Sequence, residues 1–276
     1  MLQGTPGRVR EYYDDHPISE ARVLAAAAGG GLSGPVTADD LFAFDQDHYG
    51  GVAAVDTLAR RANVGATSRV LDVCAGLGGP ARFLASRRGA AVVALELHAG
   101  RAAGAARLNR MVKQARVSVV RADATALPFG AGRFDACLSQ EALLHIADKA
   151  AVLGECHRVL ARGGRLAFTD WIAFPRLADR ERRQLWEWMA ATTLQTLGGY
   201  RELLGRSGFT TVEAEDLSPE WRTIVRKRIE VHRALRSQRE ASFGGQQYRE
   251  HERLHTFFVE LIEAGKLGGG RFTATR

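Results

Sequence analysis

The chain has 276 residues, of which 46% are hydrophobic and 25% charged, with a net charge of +7. This is a globular composition: no apolar run approaches the roughly 20 residues of a membrane span. The first residues lack the apolar stretch of a signal peptide. Three cysteines, Cys74, Cys137 and Cys156, make neither a disulfide framework nor a metal spacing, so a reducing cytoplasm and no metal are expected.

Residues 8–28 read as two short helices, Arg8 to Asp15 and Ser19 to Ala28, with Ser19 as N-cap and Glu20 in the first turn. Three glycines from Gly29 end the second. Thr37 to Asp40 starts another helical turn, residues 42–51 form a polar-aromatic loop, and residues 52–62 are helical. Then Arg69-Val-Leu-Asp-Val73 runs into a glycine-rich turn at Cys74-Ala-Gly-Leu-Gly-Gly79, and a helix follows Pro80. Strand, glycine turn and helix make a nucleotide-binding layout: glycine lets a ligand approach the backbone, and the helix offers free N–H groups.

Further strands follow at Ala91 to Leu95 ending in Glu96, at Val117 to Ala124 with Asp123, at Phe134 to Ser139, and at Leu166 to Asp170 after a helix end at Leu160–Arg162 and a Gly163-Gly164 turn. Strands alternating with helices predict a parallel doubly wound sheet. Beyond it, residues 176–197 and 200–207 read as helices, residues 209–216 as a sixth strand, residues 219–240 and 246–265 as helices, and residues 268–275 as a last strand. Arginine-rich stretches such as 222–228 lie at helical spacing beside acids, as on solvated faces. They lack the interleaved aromatics of a nucleic-acid surface.

These segments, in this order across about 46–170, resemble the class I S-adenosylmethionine-dependent methyltransferases. Asp72 to Gly78 is similar to the family's acidic residue followed by Gly-x-Gly-x-Gly, with Cys74 standing at the first glycine. The resemblance implies a Rossmann-like α/β fold with a seven-stranded sheet whose last strand is antiparallel. It implies a helical lid segment at 1–45, a cofactor-binding core at 46–218, a helical cap insertion at 219–267 and the final strand at 268–276. S-adenosyl-L-methionine would be the cofactor, held by Tyr49, Asp72, Ala75, Gly76, Gly78, Glu96, Leu97, Asp123, Ala124 and Gln140. Glu96 would bind the ribose hydroxyls, Asp123 and Ala124 the adenine, and Tyr49 with its two following glycines the methionine end.

Two segments carry a closer likeness to the sarcosine, dimethylglycine and phosphoethanolamine N-methyltransferases: Asp45-Gln-Asp-His-Tyr-Gly-Gly51 and Ser139-Gln-Glu-Ala-Leu-Leu-His145. The second follows the fourth strand, where ligands of open α/β sheets bind. Glu141 and His145, four apart, would share one helix face. His145 has the ordinary pKa of a general base for an amine that arrives protonated; a histidine bonded to a nearby carbonyl is the plainer reading. Glu141 would hold an ammonium group, or serve only as helix-end charge. Tyr12, Tyr13, His16, Gln140 and Trp171 are the acceptor candidates, because aromatic faces suit cationic amines; Tyr12 and Tyr13 equally suit docking the lid to the core. The acceptor is expected to be a small polar molecule methylated at an amine nitrogen, with oxygen, sulfur or carbon as the alternative. A protein that binds the cofactor without turnover, or an NAD-dependent oxidoreductase, are the competing readings. No nucleic-acid or membrane partner is expected, and a homodimer stays open.

Overall fold

The computed structural model describes residues 6–14, 18–29 and 35–276, so the candidate His16 lies outside the described residues. Seven strands form one sheet: β1 Arg69–Val73, β2 Ala91–Glu96, β3 Val117–Arg121, β4 Phe134–Gln140, β5 Leu160–Ala173, β6 Thr210–Asp216 and β7 Leu267–Thr275. Their order is β3-β2-β1-β4-β5-β7-β6. The first five pair in parallel, and β7 runs antiparallel to β5 and β6. The fold class is therefore the one expected.

The chain steps outward from β1 through β2 to β3, then returns to β4 on the other side of β1. Strand order reverses there, which opens a crevice beyond the carboxyl ends of β1 and β4. Successive strand residues alternate between the two faces. Val70, Ala136 and Ala167 enter one core; Leu71, Cys137 and Phe168 enter the other. A sheet buried on both faces reads as a continuous apolar run, as these strands do.

On the N-terminal side lie α1 Pro6–Asp14, α2 Glu20–Gly29, α3 Ala38–Leu41 and α4 Gly51–Arg61. Thr37 caps α3 through a reciprocal bond pair with Asp40. Between the strands run α5 Gly79–Arg88, α6 Ala99–Met111 and α7 Lys149–Val159. The buried Arg82 of α5 donates to Asp45 Oδ2 at 2.9 and 3.1 Å, to Leu77 O at 2.7 Å and to Asn109 Oδ1 at 2.9 Å. One guanidinium thus ties the 42–51 loop to the glycine turn. Losing either charge would strand the other in the interior, at a cost of about 3–5 kcal/mol.

After β5 come α8 Asp179–Met189 and α9 Leu197–Arg206, and between β6 and β7 a cap of α10 Ser218–Ala234, α11 Arg236–Phe243 and α12 Gly245–Glu263. Cap residues Trp221, Val225, Phe258 and Leu261 pack with Tyr49, Leu144 and Trp171, which seats the cap over the carboxyl edge of the sheet.

Four local expectations are corrected. The helix read over 176–197 breaks at Ala190, whose φ is +52°, because residues 190–196 turn back to the sheet: Thr192 N donates to Leu144 O and Ala173 N to Gln195 O. The helix read over 219–240 divides at Leu235, between α10 and α11. The helix before β5 ends at Val159, and Leu160 already pairs with Phe134. Glu141 and His145 do not share a helix face. Glu141 has φ +50° and its N–H still bonds Thr169 O, while Leu143–His145 is a single 3-10 turn. Asp148 caps α7 three residues later, which leaves no room for a longer helix.

Candidate functional site

A cavity of about 290 Å³ opens beyond β1, β2 and β4. Its floor is the glycine turn. Cys74 takes φ +61° and Gly76 φ +57°. The left-handed conformation that a glycine would adopt freely is thus carried by Cys74, a half-buried residue on the cavity wall. Cys137 and Cys156 are buried. Gly76 N donates to Glu96 Oε2 at 2.9 Å and His98 N to Glu96 Oε1 at 2.7 Å. Two backbone donors therefore aim the Glu96 carboxylate, and its remaining lone pairs stay available to a ligand.

Asp72 is 3% exposed on the same cavity, and its Oδ2 has no hydrogen-bond partner. Burial, with the Glu96 charge behind it, pushes its carboxyl up to about 7. A buried, half-satisfied carboxyl beside a second carboxylate suits a cationic ligand. Across the cavity Asp123 is exposed, with Oδ1 accepting from Thr125 N and Oγ1 at 2.8 Å, and Ala122, Ala124 and Leu97 line the wall.

Gln140 also faces this cavity, and its Nε2 lies 3.0 Å from His48 Nδ1, which also lies 3.2 Å from Tyr49 O. His48 Nε2 lies 3.0 Å from Gln46 Oε1, and burial holds this imidazole down to about 4, so it stays neutral. Ala75 and Gly76 line the cavity, whereas Gly78 does not. The φ of +77° at Gly78 sets the turn into α5, where it accompanies Arg82. Within this turn Gly79 permits the closest approach: a Cβ there would sit 2.1 Å from Asp45 O.

A second, larger cleft of about 2040 Å³ runs between α1, α2 and the cap. Tyr13, Asp47, Glu141 and His145 line both spaces, and so mark their junction. His145 Nδ1 lies 3.2 Å from Ala190 O, which accepts only, so this nitrogen carries the proton. Nε2 is left with its lone pair and accepts from the Tyr13 hydroxyl at 3.0 Å. Glu141 Oε1 accepts from Tyr49 N at 2.6 Å, and burial raises its carboxyl to about 8.

Tyr49 sits on the cleft side and outside the smaller cavity. Its ring packs edge-on against Trp171 and Trp221, with the Arg228 guanidinium 4.2 Å over it. Trp171 is 4% exposed and shows only an edge to the cleft. Trp188 lines the cleft and meets Phe257, while Trp186 stays half-buried beside it. Tyr12 packs against both Tyr13 and His145, at 5.1 and 5.7 Å between centroids.

Sequence reasoning missed Asp47, Arg101 and Arg228. The buried Arg101 of α6 donates to Asp47 Oδ2 at 2.9 Å and lies 4.5 Å over the Tyr13 ring. Asp14 accepts from His98 at 2.9 Å. Together these contacts hold α1 across both spaces. Nothing in the local sequence around Arg101 marks it, since it meets its partners only through the fold. Among the described residues no His, Cys, Asp and Glu cluster suits a metal ion, and no helix is long and apolar enough to cross a membrane.

A family model described as a methyltransferase domain matches residues 71–168. The 27-O-demethylrifamycin SV methyltransferase of Amycolatopsis mediterranei is 31% identical over 189 residues, which cover 66% of this chain and 69% of that one. The chain belongs to the S-adenosylmethionine-dependent methyltransferases. The glycine/sarcosine/dimethylglycine N-methyltransferase of Actinopolyspora halophila is 30% identical to this methyltransferase over 219 residues, 78% of this chain and 38% of that one. In fold, the phosphoethanolamine N-methyltransferase 2 of Haemonchus contortus superposes with a TM-score of 0.83 at 21% identity, over 97% of this chain and 60% of that one. This methyltransferase thus spans 38% of the first N-methylating relative's length. S-adenosylmethionine, the family's cofactor, is cationic at its sulfonium and ammonium. The unpartnered Oδ2 of the buried Asp72 and the Glu96 carboxylate beside it fit that charge.

Proposed function

We propose that the chain transfers a methyl group from S-adenosylmethionine to an amine nitrogen of a polar small molecule, in the cytoplasm. The junction of the two spaces carries this reading. There a buried carboxyl, Glu141, and the His145 imidazole, whose Nε2 meets the Tyr13 hydroxyl, stand among Tyr12, Tyr13 and Tyr49. A carboxyl pushed up to about 8 by burial gains most from a cationic neighbour, and tyrosine faces attract one.

The bound cofactor would supply a methyl group on a sulfonium. In the smaller cavity Glu96 would accept from the ribose hydroxyls, the free oxygen of Asp123 would accept from the adenine amine beside Ala124 and Leu97, and Asp72 would face the cationic end. Ala75, Gly76 and Gln140 line the space between. The chain's own residues prepare the acceptor. Glu141 receives the ammonium, and the Tyr13 oxygen takes its proton as the Tyr13 hydroxyl gives its own to His145 Nε2. Burial holds the Tyr13 phenol well above its usual value, so it passes a proton rather than resting as phenolate. The neutral amine then has its lone pair free for in-line attack, and α1 keeps water out.

A second reading, methylation of an oxygen, draws support from the size of the cleft. About 2040 Å³ exceeds the roughly 300–1,000 Å³ usual for small-molecule sites. An assay with methyl-labelled S-adenosylmethionine against amines, amino acids, phenols and alcohols separates the readings. Label on an amine is expected; label only on hydroxyl compounds moves the acceptor to oxygen, and cofactor binding without transfer to any acceptor favours a binding protein.

A further inference from the structure

His145 stands between two main-chain carbonyls, and both are tied to one segment, residues 190–196, where the chain turns back from α8 to the sheet. Before the histidine, Leu144 O accepts from Thr192 N at 2.8 Å and from Thr192 Oγ1 at 3.0 Å. After it, Ile146 O accepts from Lys149 Nζ at 2.9 Å. The same ammonium donates to Thr193 O at 2.7 Å and to Thr193 Oγ1 at 2.6 Å. The segment also supplies Ala190 O, 3.2 Å from His145 Nδ1. The ring and both flanking carbonyls are therefore held from one side by one stretch of chain.

Lys149 is 2% exposed, and among the described residues it makes no ion pair; its three acceptors are uncharged oxygens. Burying an ammonium in this way is unfavourable, and an apolar side chain would serve packing alone better. What the ammonium offers is three donors on a single atom, which no other side chain has. Burial pulls it down to about 8 against the opposing Asp170 charge, so it keeps its proton at neutral pH. Asp170 holds the same turn from β5: Oδ1 accepts from Leu144 N at 3.3 Å and Oδ2 from the Tyr200 hydroxyl. Ala190 adds an independent sign. Its φ of +52° is unfavourable for alanine, and such outliers persist where the surroundings over-determine them.

We propose that Lys149 is a positioning residue for methyl transfer: by lashing residues 190–196 to the 143–146 turn, it holds Ala190 O against His145 Nδ1 and keeps Nε2 turned to the Tyr13 hydroxyl. Which imidazole nitrogen carries the proton is set by the bond that the other makes. Without the ammonium, Ile146 O and Thr193 O lose their shared donor, and the ring loses a fixed acceptor. It then samples both tautomers, and the one protonated at Nε2 cannot take the Tyr13 proton. This inference rests on the reading of Tyr13 and His145 as the proton relay.

The test compares wild type with Lys149→Met, which keeps the length of the side chain without its donors, in the full chain loaded with S-adenosylhomocysteine. Proton–nitrogen NMR of the His145 ring, assigned by its loss in His145→Gln, should show the proton on Nδ1 in wild type and a mixture of tautomers in Lys149→Met. With an amine acceptor, kcat should fall about tenfold while KM and S-adenosylhomocysteine affinity stay within a few-fold, because a small misplacement of a reacting group costs turnover more than binding. Thr193→Val, which removes one of the three acceptors, should give the same changes at about threefold in kcat, and it serves if Lys149→Met does not fold. Ring signals unchanged in both variants overturn the proposal, even if turnover is lost, and so does a tautomer mixture with kcat intact. A wild type that methylates no amine contradicts the amine reading alone; the ring signals need no turnover and still decide whether Lys149 orients His145.

Discussion

The Tyr13 hydroxyl lies 3.0 Å from His145 Nε2, and 132 residues separate the two in the chain. One comes from a helix packed outside the sheet and the other from the turn after β4. Both residues line the smaller cavity and the larger cleft, so their meeting marks the junction of the two.

Tyr13→Phe should therefore lower turnover by about ten- to a hundredfold, and His145→Ala by about a hundredfold or more, within the range of acid–base contributions. Affinity for S-adenosylhomocysteine should stay within a few-fold in both, as measured by calorimetry. Turnover surviving in His145→Ala would make that residue a structural anchor for Ala190.

Glu141 gives a signature in pH. Its carboxyl is raised from 4.5 to about 8 in the folded chain, so the folded state holds a proton that the unfolded state has released. That contribution to stability is fully present below about pH 4.5 and is lost as pH rises through about 8, at up to about 1.4 kcal/mol per pH unit. His48, pulled down to about 4, acts in the opposite sense below about 6.5. The difference between wild type and Glu141→Gln isolates the carboxyl. Urea unfolding of the apo protein should show a steeper fall with pH in wild type than in Glu141→Gln; parallel curves would contradict the raised value.

The glycine turn offers a contrast between two small substitutions. Cys74→Gly should change stability by no more than about 1 kcal/mol, since the relief of a left-handed residue offsets lost packing. It should leave cofactor affinity intact.

Gly79→Ala should be severe despite adding only one methyl, because its Cβ would meet a main-chain oxygen at 2.1 Å. A lowered Tm and weakened S-adenosylhomocysteine binding are the expected readouts.

The sheet was legible because buried parallel strands are short β-branched runs punctuated by glycine and acid, and each signal is local. That Asp72, Glu96 and Asp123 would line one cavity was legible for the same reason: each lies at or within two residues of the carboxyl end of its strand. The Glu141–His145 pair was misread because spacing alone suggests a helix, whereas the turn is set by distant partners. Thr169 O takes the Glu141 N–H and Asp170 Oδ1 the Leu144 N–H at 3.3 Å. Tyr49 lines the larger cleft because Trp221 and Arg228, from a cap nearly 180 residues later in the chain, hold its ring. Arg101 and Arg228 meet partners that no local pattern names.

Glu96 is where the account is most exposed. Calorimetric titration with S-adenosylhomocysteine should give one tight site per chain in wild type. In Glu96→Ala, which loses the acceptor for Gly76 N and His98 N and, in the proposed site, for the ribose, affinity should fall at least about tenfold. No binding to wild type, or equal affinity in the variant, would contradict the cofactor site on which the rest depends.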